Sequence, residues 1–429
     1  MKLRVRIFLI SAAIVAMLFL ADCGHYNCGV TFGSSSSCTS SGSGFGTSTG
    51  PTSSTGAFVF VADAAGTGTT GTIDGYVLDS GLSTFGPTSS YTPPTTPLAD
   101  SGVGMVVAQK QFLYTAYPST SQIFGWTISS TGSLTPISGT PLAAPFVAFM
   151  ASGFGTQKII TNPAGTLLFF ADTFQDKIYV YKIGSSGTLT AASGSPFSVP
   201  FSPGNLATDG LGKYLYITET FSNHTGSEVG AYGIGSGGSL TAVPGSPFSF
   251  PMWQVQGEPS GKYLVGTTGN SAAAGFSGLD DDNLYVFGIT QTGANAGAIA
   301  EVSGSPFATE FSPLDLAVQS NTNGNLVYTF GINDQLLAFN DVEGYAIGSG
   351  GTLSLAAGSP FSNAAVGDLG ALDQSGSFLF VYGGVFNINT DTITYQMGAF
   401  DVGSGGTLSE PTSTLTLTSG GFFAVTDPQ

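Results

Sequence analysis

Short apolar segments recur along residues 57–429 and predict a chain built from strands. Each has about four to seven residues, is rich in β-branched and aromatic side chains, and is bounded by Gly, Pro, Asp or Ser. This pattern is typical of strands joined by hairpins. One group shows the order clearly, with predicted strands at 158–162, 166–171, 177–183 and 188–192. The pattern therefore predicts an all-β fold of four-stranded antiparallel units.

The second strand of a unit is apolar on both faces. Leu167–Phe170, Tyr214–Ile217 and Phe378–Val381 are examples. A strand with one face in water alternates between apolar and polar residues, so a continuous apolar run indicates a strand that is covered on both faces. Sheets stacked face to face around a central axis provide that cover.

The tetrapeptide Gly-Ser-Pro-Phe repeats along the chain and sets the length of the unit. It occurs at 194–197, 245–248, 304–307 and 358–361, with Gly139–Leu142 as a variant. Self-similarity at such a period is typical of repeat architectures. We interpret its Gly as a turn residue with positive φ, its Pro as the end of the fourth strand, and its Phe as a filler between units.

Seven units can be counted, and the two ends of the repeat region complete each other. The units lie at 57–92, 103–142, 157–197, 204–248, 253–307, 314–361 and 367–415. The first unit lacks an inner strand. Residues 421–428, after the last unit, have the pattern of an inner strand but are followed by no second strand. Pairing the two would close the ring and remove open sheet edges. The sequence therefore predicts a seven-bladed β-propeller whose C-terminal strand pairs with the first blade.

Residues 57–429 resemble the lactonase family of seven-bladed propellers. The motifs that carry this resemblance are Gly212–Tyr216 and Gly261–Leu264, together with the Gly-x-Leu-Thr strands that precede Gly-Ser-Pro-Phe. The resemblance implies a ligand bound around the mouth of the central channel by His, Glu and Arg side chains. No arginine follows Arg6, so this set is incomplete and a phosphorylated lactone is disfavoured. We therefore expect a hydrolase of small, non-phosphorylated lactones, or a non-catalytic propeller that binds a protein or glycan.

His224 is the candidate catalytic base, because it lies between Glu219 and Glu228 in a predicted loop of the fourth blade. The alternative is a solvated loop histidine. The loops joining second to third strands share one face with the loops joining blades, and they are long and rich in Gly. We predict Glu219 and His224 as catalytic residues, and Asp63, Glu228 and Asp334 as binding residues at the channel mouth. The alternative is that the length of these loops has no function.

Other motifs indicate no metal or cofactor. Asp280–Asp282 are adjacent rather than at the alternate positions of a calcium loop, so we interpret them as a solvated turn. Residues 57–429 contain no serine nucleophile elbow and no phosphate-binding loop.

The N-terminus predicts export. Lys2, Arg4 and Arg6 precede an apolar run over 7–20, which is typical of a signal peptide at 1–22. Leu20–Cys23 resembles the lipobox of bacterial lipoproteins, although Asp22 occupies a position that usually holds a small residue. We predict that Cys23 carries lipid; the alternatives are secretion without lipid and an uncleaved anchor.

Residues 23–56 are dominated by Ser, Gly and Thr and predict a flexible tether with a span on the order of 30 Å. This tether contains Cys28 and Cys38, whereas residues 57–429 contain no cysteine. An even pair in an oxidising compartment predicts a disulfide, with two free thiols as the alternative.

The charge of the chain limits its partners. The net charge is −17, with 26 Asp and Glu against 9 Lys and Arg. Nucleic acids and anionic lipid surfaces require clustered cationic side chains. We expect instead a monomer at the cell envelope, periplasmic or on the surface, whose partner is a small lactone, a glycan or a protein.

Lipid attachment at Cys23 can be tested in a host that processes lipoproteins. We expect mass spectrometry to find an acylated cysteine at the mature N-terminus, and the Cys23→Ser variant to leave the membrane fraction. An unmodified mature N-terminus at another residue would contradict this prediction.

Overall fold

The computed structural model describes most of the repeat region. The described residues are 56–63, 72–79, 84–91, 104–117, 121–143, 159–219, 228–268, 282–321, 324–333, 338–362, 369–387, 392–409, 413–417 and 422–428. The predicted signal peptide, the tether and the predicted lipidation and disulfide residues Cys23, Cys28 and Cys38 lie outside them.

The described strands form seven antiparallel sheets, which confirms the predicted seven-bladed β-propeller. The strands of the first three blades are β1 (Phe58–Asp63), β2 (Thr72–Asp79), β3 (Thr84–Tyr91), β4 (Met105–Ala108), β5 (Phe112–Tyr117), β6 (Gln122–Ile128), β7 (Leu134–Pro136), β8 (Leu142–Ala143), β9 (Ile159–Thr161), β10 (Leu167–Asp172), β11 (Lys177–Ile183), β12 (Leu189–Ala191) and β13 (Phe197–Ser198).

Blades 4 to 7 repeat this order. Their strands are β14 (Pro203–Thr208), β15 (Tyr214–Glu219), β16 (Val229–Ile234), β17 (Leu240–Ala242), β18 (Gln254–Gly257), β19 (Tyr263–Thr267), β20 (Asn283–Ile289), β21 (Ile299–Glu301), β22 (Phe307–Ala308), β23 (Ser312–Asn321), β24 (Gly324–Asn333), β25 (Ala338–Ile347), β26 (Leu353–Leu355), β27 (Phe361–Ser362), β28 (Leu369–Leu372), β29 (Phe378–Asn387), β30 (Thr392–Asp401) and β31 (Ser413–Leu417). The last strand, β32 (Phe423–Thr426), returns to blade 1.

Two details differ from the sequence prediction. The short strands β8, β13, β22 and β27 follow the fourth strand and pair with the third strand of the same blade. In blade 7 the repeat copy at 405–409 contributes to a 3₁₀ turn at Ser404–Gly406 and an isolated bridge, while the fourth strand is β31. This copy lacks the closing tetrapeptide. The chain after it forms β31, which pairs with Tyr395–Ala399 of β30.

The hydrophobic core lies between the blades. Within the described residues it consists of seven clusters, and each contains residues from two neighbouring blades. The second strands serve two clusters at once, which explains their continuous apolar sequence. In β10, for example, Leu168 and Phe170 pack toward blade 2, whereas Phe169 packs toward blade 4. All three are at most 1% exposed.

The Gly-Ser-Pro-Phe repeat acts through its backbone and its serine. Its glycines have φ between 86° and 94°, which confirms the predicted turn conformation. Each serine Oγ accepts a hydrogen bond from a third-strand N–H, as from Val180 to Ser195 at 2.9 Å and from Ala231 to Ser246 at 2.8 Å. The serine of the repeat therefore provides a hydrogen-bond acceptor for a backbone N–H group of the third strand.

The ring is closed by the two ends of the repeat region. Phe58–Val61 of β1 pair antiparallel with Phe423–Thr426 of β32, as the sequence predicted. Asp427, directly after β32, accepts a hydrogen bond from Lys110 Nζ of blade 2 at 2.8 Å and one from the Ser375 N–H of blade 7 at 3.4 Å. The C-terminal strand is therefore held by blades on both sides.

Removal of the C-terminal strand tests this closure. Deletion of 420–429 leaves β1 without its inner partner and exposes the cluster between blades 7 and 1. We expect loss of the cooperative unfolding transition measured by circular dichroism. A chain shortened only within the tether is the control, and an unchanged transition in the 420–429 deletion would show that the ring closes elsewhere.

Candidate functional site at the channel mouth

The order of strands within a blade decides which side chains meet at each end of the channel. In an antiparallel meander, the starts of the inner strands and the ends of the second strands lie on the same face. We call this the mouth face; it includes the starts of β14, β18, β23 and β28 and the end of β15. The opposite turn face carries the short turns between inner and second strands, such as 162–166 and 209–213.

A channel runs along the axis and has a cavity volume of about 280 Å³. It is lined by the inner strands of blades 2 to 7, and no charged side chain is among the lining residues that the structure describes. The lining residues are Val106, Ile160, Thr161, Leu206, Ala207, Thr208, Gln256, Gly257, Leu316, Ala317, Val318, Gln319, Gly370, Ala371 and Leu372.

Each inner strand has a sheet partner on one side only, so part of its backbone needs other hydrogen-bond partners. Side chains of the preceding blade supply several of them. Asn205 Oδ1 accepts from the Val255 N–H at 3.1 Å. Gln256 donates to Leu316 O at 2.6 Å and accepts from the Val318 N–H at 3.2 Å. Polar side chains on the inner strands therefore join blade 4 to blade 5 and blade 5 to blade 6.

Asp315 joins three blades at the mouth face. Its Oδ1 accepts from Gln254 Nε2 of blade 5 at 2.6 Å, and its Oδ2 accepts from the Gly370 N–H of blade 7 at 3.0 Å. A β-bulge between Pro313 and Asp315 interrupts the strand register there. Position 370 requires glycine, because a Cβ there would overlap the ring of Phe330. Burial raises the pKa of Asp315 to about 6, against the opposing effect of these two hydrogen bonds.

The structure brings Glu219, predicted as catalytic, and Glu228, predicted as a binding residue, together at the mouth face of blade 4. Glu219 ends β15, and its N–H donates to Glu228 O at 2.9 Å. Both side chains are half-buried. Burial raises the pKa of the Glu219 carboxyl, and the negative charge of Glu228 raises it further. A carboxylate that holds its proton more tightly is a stronger base once ionised.

The other predicted site residues are placed only in part. His224 and Asp334 lie outside the described residues. Asp63 ends β1, and its backbone pairs with Thr72. Of the Asp280–Asp282 run, Asp282 is described: it is exposed, and its carbonyl accepts the Thr309 N–H at 2.7 Å.

Sequence reasoning missed Asp315 and its partner Gln254. Both occur at the start of inner strands, where the neighbouring residues are mostly apolar. A single acid within Pro313–Val318 was the available signal. Its meaning depends on the bulge and on contacts 55 and 61 residues away along the chain, which the local pattern does not contain.

The described residues contain neither a metal-binding cluster nor a membrane-spanning helix. No three His, Cys, Asp or Glu side chains are placed to hold a metal ion. No helix in the same part of the chain is long and apolar enough to cross a membrane.

Part of the sequence is similar to 6-phosphogluconolactonases, although no protein-family model matches the chain. The chain is 30% identical over 115 residues to the 6-phosphogluconolactonase of Xenorhabdus nematophila, covering 27% of this chain and 31% of that protein. It is 23% identical over 184 residues to that of Erwinia tasmaniensis, covering 43% and 48%. The matches therefore span between about a third and a half of the length of these relatives.

Solved structures share the whole fold. The periplasmic gluconolactonase of Pseudomonas aeruginosa has a TM-score of 0.61 at 14% identity and covers 87% of this chain and 99% of its own. A putative 6-phosphogluconolactonase of Bacteroides uniformis has a TM-score of 0.55 at 13% identity, covering 85% and 100%. These findings confirm the resemblance predicted from the repeats: the chain is a seven-bladed β-propeller that is similar to lactonases in fold and, over part of its sequence, to 6-phosphogluconolactonases.

Proposed function

We propose that this chain is an exported, lipid-anchored lactonase that hydrolyses a small lactone without phosphate groups. The observation that supports it most directly is the composition of the mouth face. The channel has no charged side chain among its described lining residues, and the mouth face at one end of the inner strands combines a pair of carboxylates with a shortage of cationic side chains.

The charges on the mouth face favour a neutral ligand. Lys177 is the one lysine or arginine that the structure describes there, whereas Lys110, Lys213 and Lys262 lie on the turn face. The described carboxylates of the mouth face include Asp172, Asp176, Glu219, Glu228, Asp282, Glu310 and the buried Asp315. Phosphate groups are bound by arginine and lysine, so a phosphorylated lactone would be repelled. A neutral lactone would enter freely, and its carboxylate product would be driven out.

Glu219 and His224 provide the proposed chemistry. The base removes a proton from water as the water oxygen attacks the lactone carbonyl carbon. The ring C–O bond then breaks, the ring oxygen takes a proton from protonated His224, and a hydroxy acid is released. The proton that the base took from water returns to His224 through solvent, which restores both groups. Glu219, in its ionised form, takes the role of base that the sequence suggested for His224, and His224, which lies between Glu219 and Glu228 in the sequence, is the proton donor. The described lining of the channel carries no charged side chain, so a neutral lactone meets no charged group within it.

Export and anchoring rest on the N-terminus. The basic start, the apolar run and Cys23 precede a Gly- and Ser-rich tether, which would hold the propeller away from a membrane. The similar solved structure from Pseudomonas aeruginosa is itself a periplasmic gluconolactonase.

A non-catalytic propeller that binds a glycan or protein is the second candidate. It is favoured by the engagement of Asn205, Gln256 and Asp315 in hydrogen bonds between blades, which leaves fewer polar groups for a reaction. Ligand binding without hydrolysis in the assay below would select it.

A panel of neutral and phosphorylated lactones tests the proposal. We expect hydrolysis of a neutral lactone and a fall in kcat of about 10²- to 10⁴-fold for Glu219→Gln and for His224→Ala, since each removes a proton-transfer group. Because burial raises the pKa of Glu219, activity should fall as the pH is lowered through that raised value. Glu301→Gln, an exposed acid on the outer strand β21, is the matched control and should keep full activity.

Alanine substitutions then locate the site. Losses should map to mouth-face positions, including Asp63, Glu228 and Asp334. Preferential hydrolysis of phosphorylated lactones, or losses confined to the turn face and outer rim, would contradict the proposal.

A further inference from the structure

Asp315 is a buried acid in an uncharged environment. It is 5% exposed and lies near the start of the inner strand β23. The strands packed against β23 are β18, β19, β20, β24 and β28. Within their bounds they carry no Asp, Glu, Lys, Arg or His, and their titratable side chains are Tyr263, Tyr285 and Tyr328. The carboxyl therefore depends on neutral donors alone when it is ionised.

Those donors come from two other blades. Gln254 Nε2 reaches Oδ1 from blade 5, and the Gly370 N–H reaches Oδ2 from blade 7. Gly370 and Leu316, which follows Asp315, both line the channel. Thr329 Oγ1 of β24 donates to Asp315 O at 3.1 Å and fixes the bulged backbone from behind. The position of the carboxyl is thus determined on several sides.

Hydrogen bonding alone does not explain why this residue is an acid. An asparagine has nearly the same shape, could accept from the Gly370 N–H and could donate to Gln254 Oε1. It would do so without the desolvation of a buried charge. A buried acid that destabilises the fold when it is ionised is typical of functional sites. Such sites retain a titratable group although a neutral residue would make the fold more stable.

We propose that Asp315 is a positioning residue of the mouth, and that its protonation state sets the direction of the hydrogen bond that joins blade 5 to blade 6 beside the channel. In the ionised form both oxygens accept, and Gln254 donates its amide N–H. In the protonated form the side-chain amide of Gln254 rotates by about 180°, so that the carboxyl O–H donates to Gln254 Oε1. Proton uptake therefore reverses the hydrogen bond between blades 5 and 6 while keeping both contacts. The inference concerns the mouth itself and goes beyond the proposed function, because it needs no substrate.

The experiment measures unfolding of the full chain by urea between pH 4 and pH 7.5, for wild type and for Asp315→Asn. The folded pKa of about 6 exceeds the unfolded value of 3.8. The stabilisation is therefore complete below about pH 4 and is lost as the pH rises through about 6. The unfolding equilibrium constant of the wild type, divided by that of Asp315→Asn, should rise on the order of 50-fold over this range. A variant that is less stable by the same factor at every pH would overturn the proposal, since that is the result of a purely structural role.

A second variant keeps the test decisive if Asp315→Asn does not fold. Gln254→Met removes the donor that favours the ionised carboxyl while retaining the side-chain length, so the midpoint of the pH profile should move upward. An unchanged midpoint would overturn the proposal.

Asp176→Asn is the control, because it makes the same substitution at an exposed acid of the mouth face. It should retain the wild-type pH profile, and loss of the pH dependence in this control would also overturn the proposal. Because no lactone is present, failure of lactone hydrolysis would not affect the result.

Discussion

The structure depends on how the inner edge of each blade is satisfied. An inner strand has a sheet partner on one side and the channel on the other. A buried backbone group left without a hydrogen-bond partner costs about 1–3 kcal/mol. Asn205, Gln256 and Asp315 accept N–H groups from the inner strand of the next blade, so these groups are paired across blade boundaries. Such pairing requires a fixed spacing between blades, which a closed ring provides.

Closure and packing supply that spacing together. The core clusters join successive blades and include one between blades 7 and 1. Phe423 and Val425 of β32, which lies beside β1, pack against that cluster. Tyrosine hydroxyls reinforce the same spacing: Tyr216 of blade 4 donates to Gly297 O of blade 5 at 3.1 Å, and Tyr328 of blade 6 donates to Gly406 O of blade 7 at 2.9 Å. The ring in turn brings the polar starts of the inner strands to one mouth, where Asp315 and the Glu219–Glu228 pair lie.

The periodic features of the chain could be predicted from its sequence, whereas features that occur once could not. Four-stranded blades and ring closure follow from repeated apolar segments and from the unmatched strand at 421–428, because these patterns are local. The closeness of Glu219 and Glu228 could be predicted, because they lie nine residues apart at the two ends of one predicted loop. Asp315 was not, because its role depends on a bulge and on residues from two other blades. Likewise, the position of β31 depends on the absence of a closing tetrapeptide and on the length of β30.

Native-state amide hydrogen exchange tests the dependence of the blades on ring closure most directly. If closure and inner-edge pairing act together, the amides of β32 and of its partner β1 should exchange only through global unfolding, at the same free energy as the amides of Val255 and Gly370. Exchange of β32 through a separate opening of lower free energy, with Val255 and Gly370 still protected, would contradict the account.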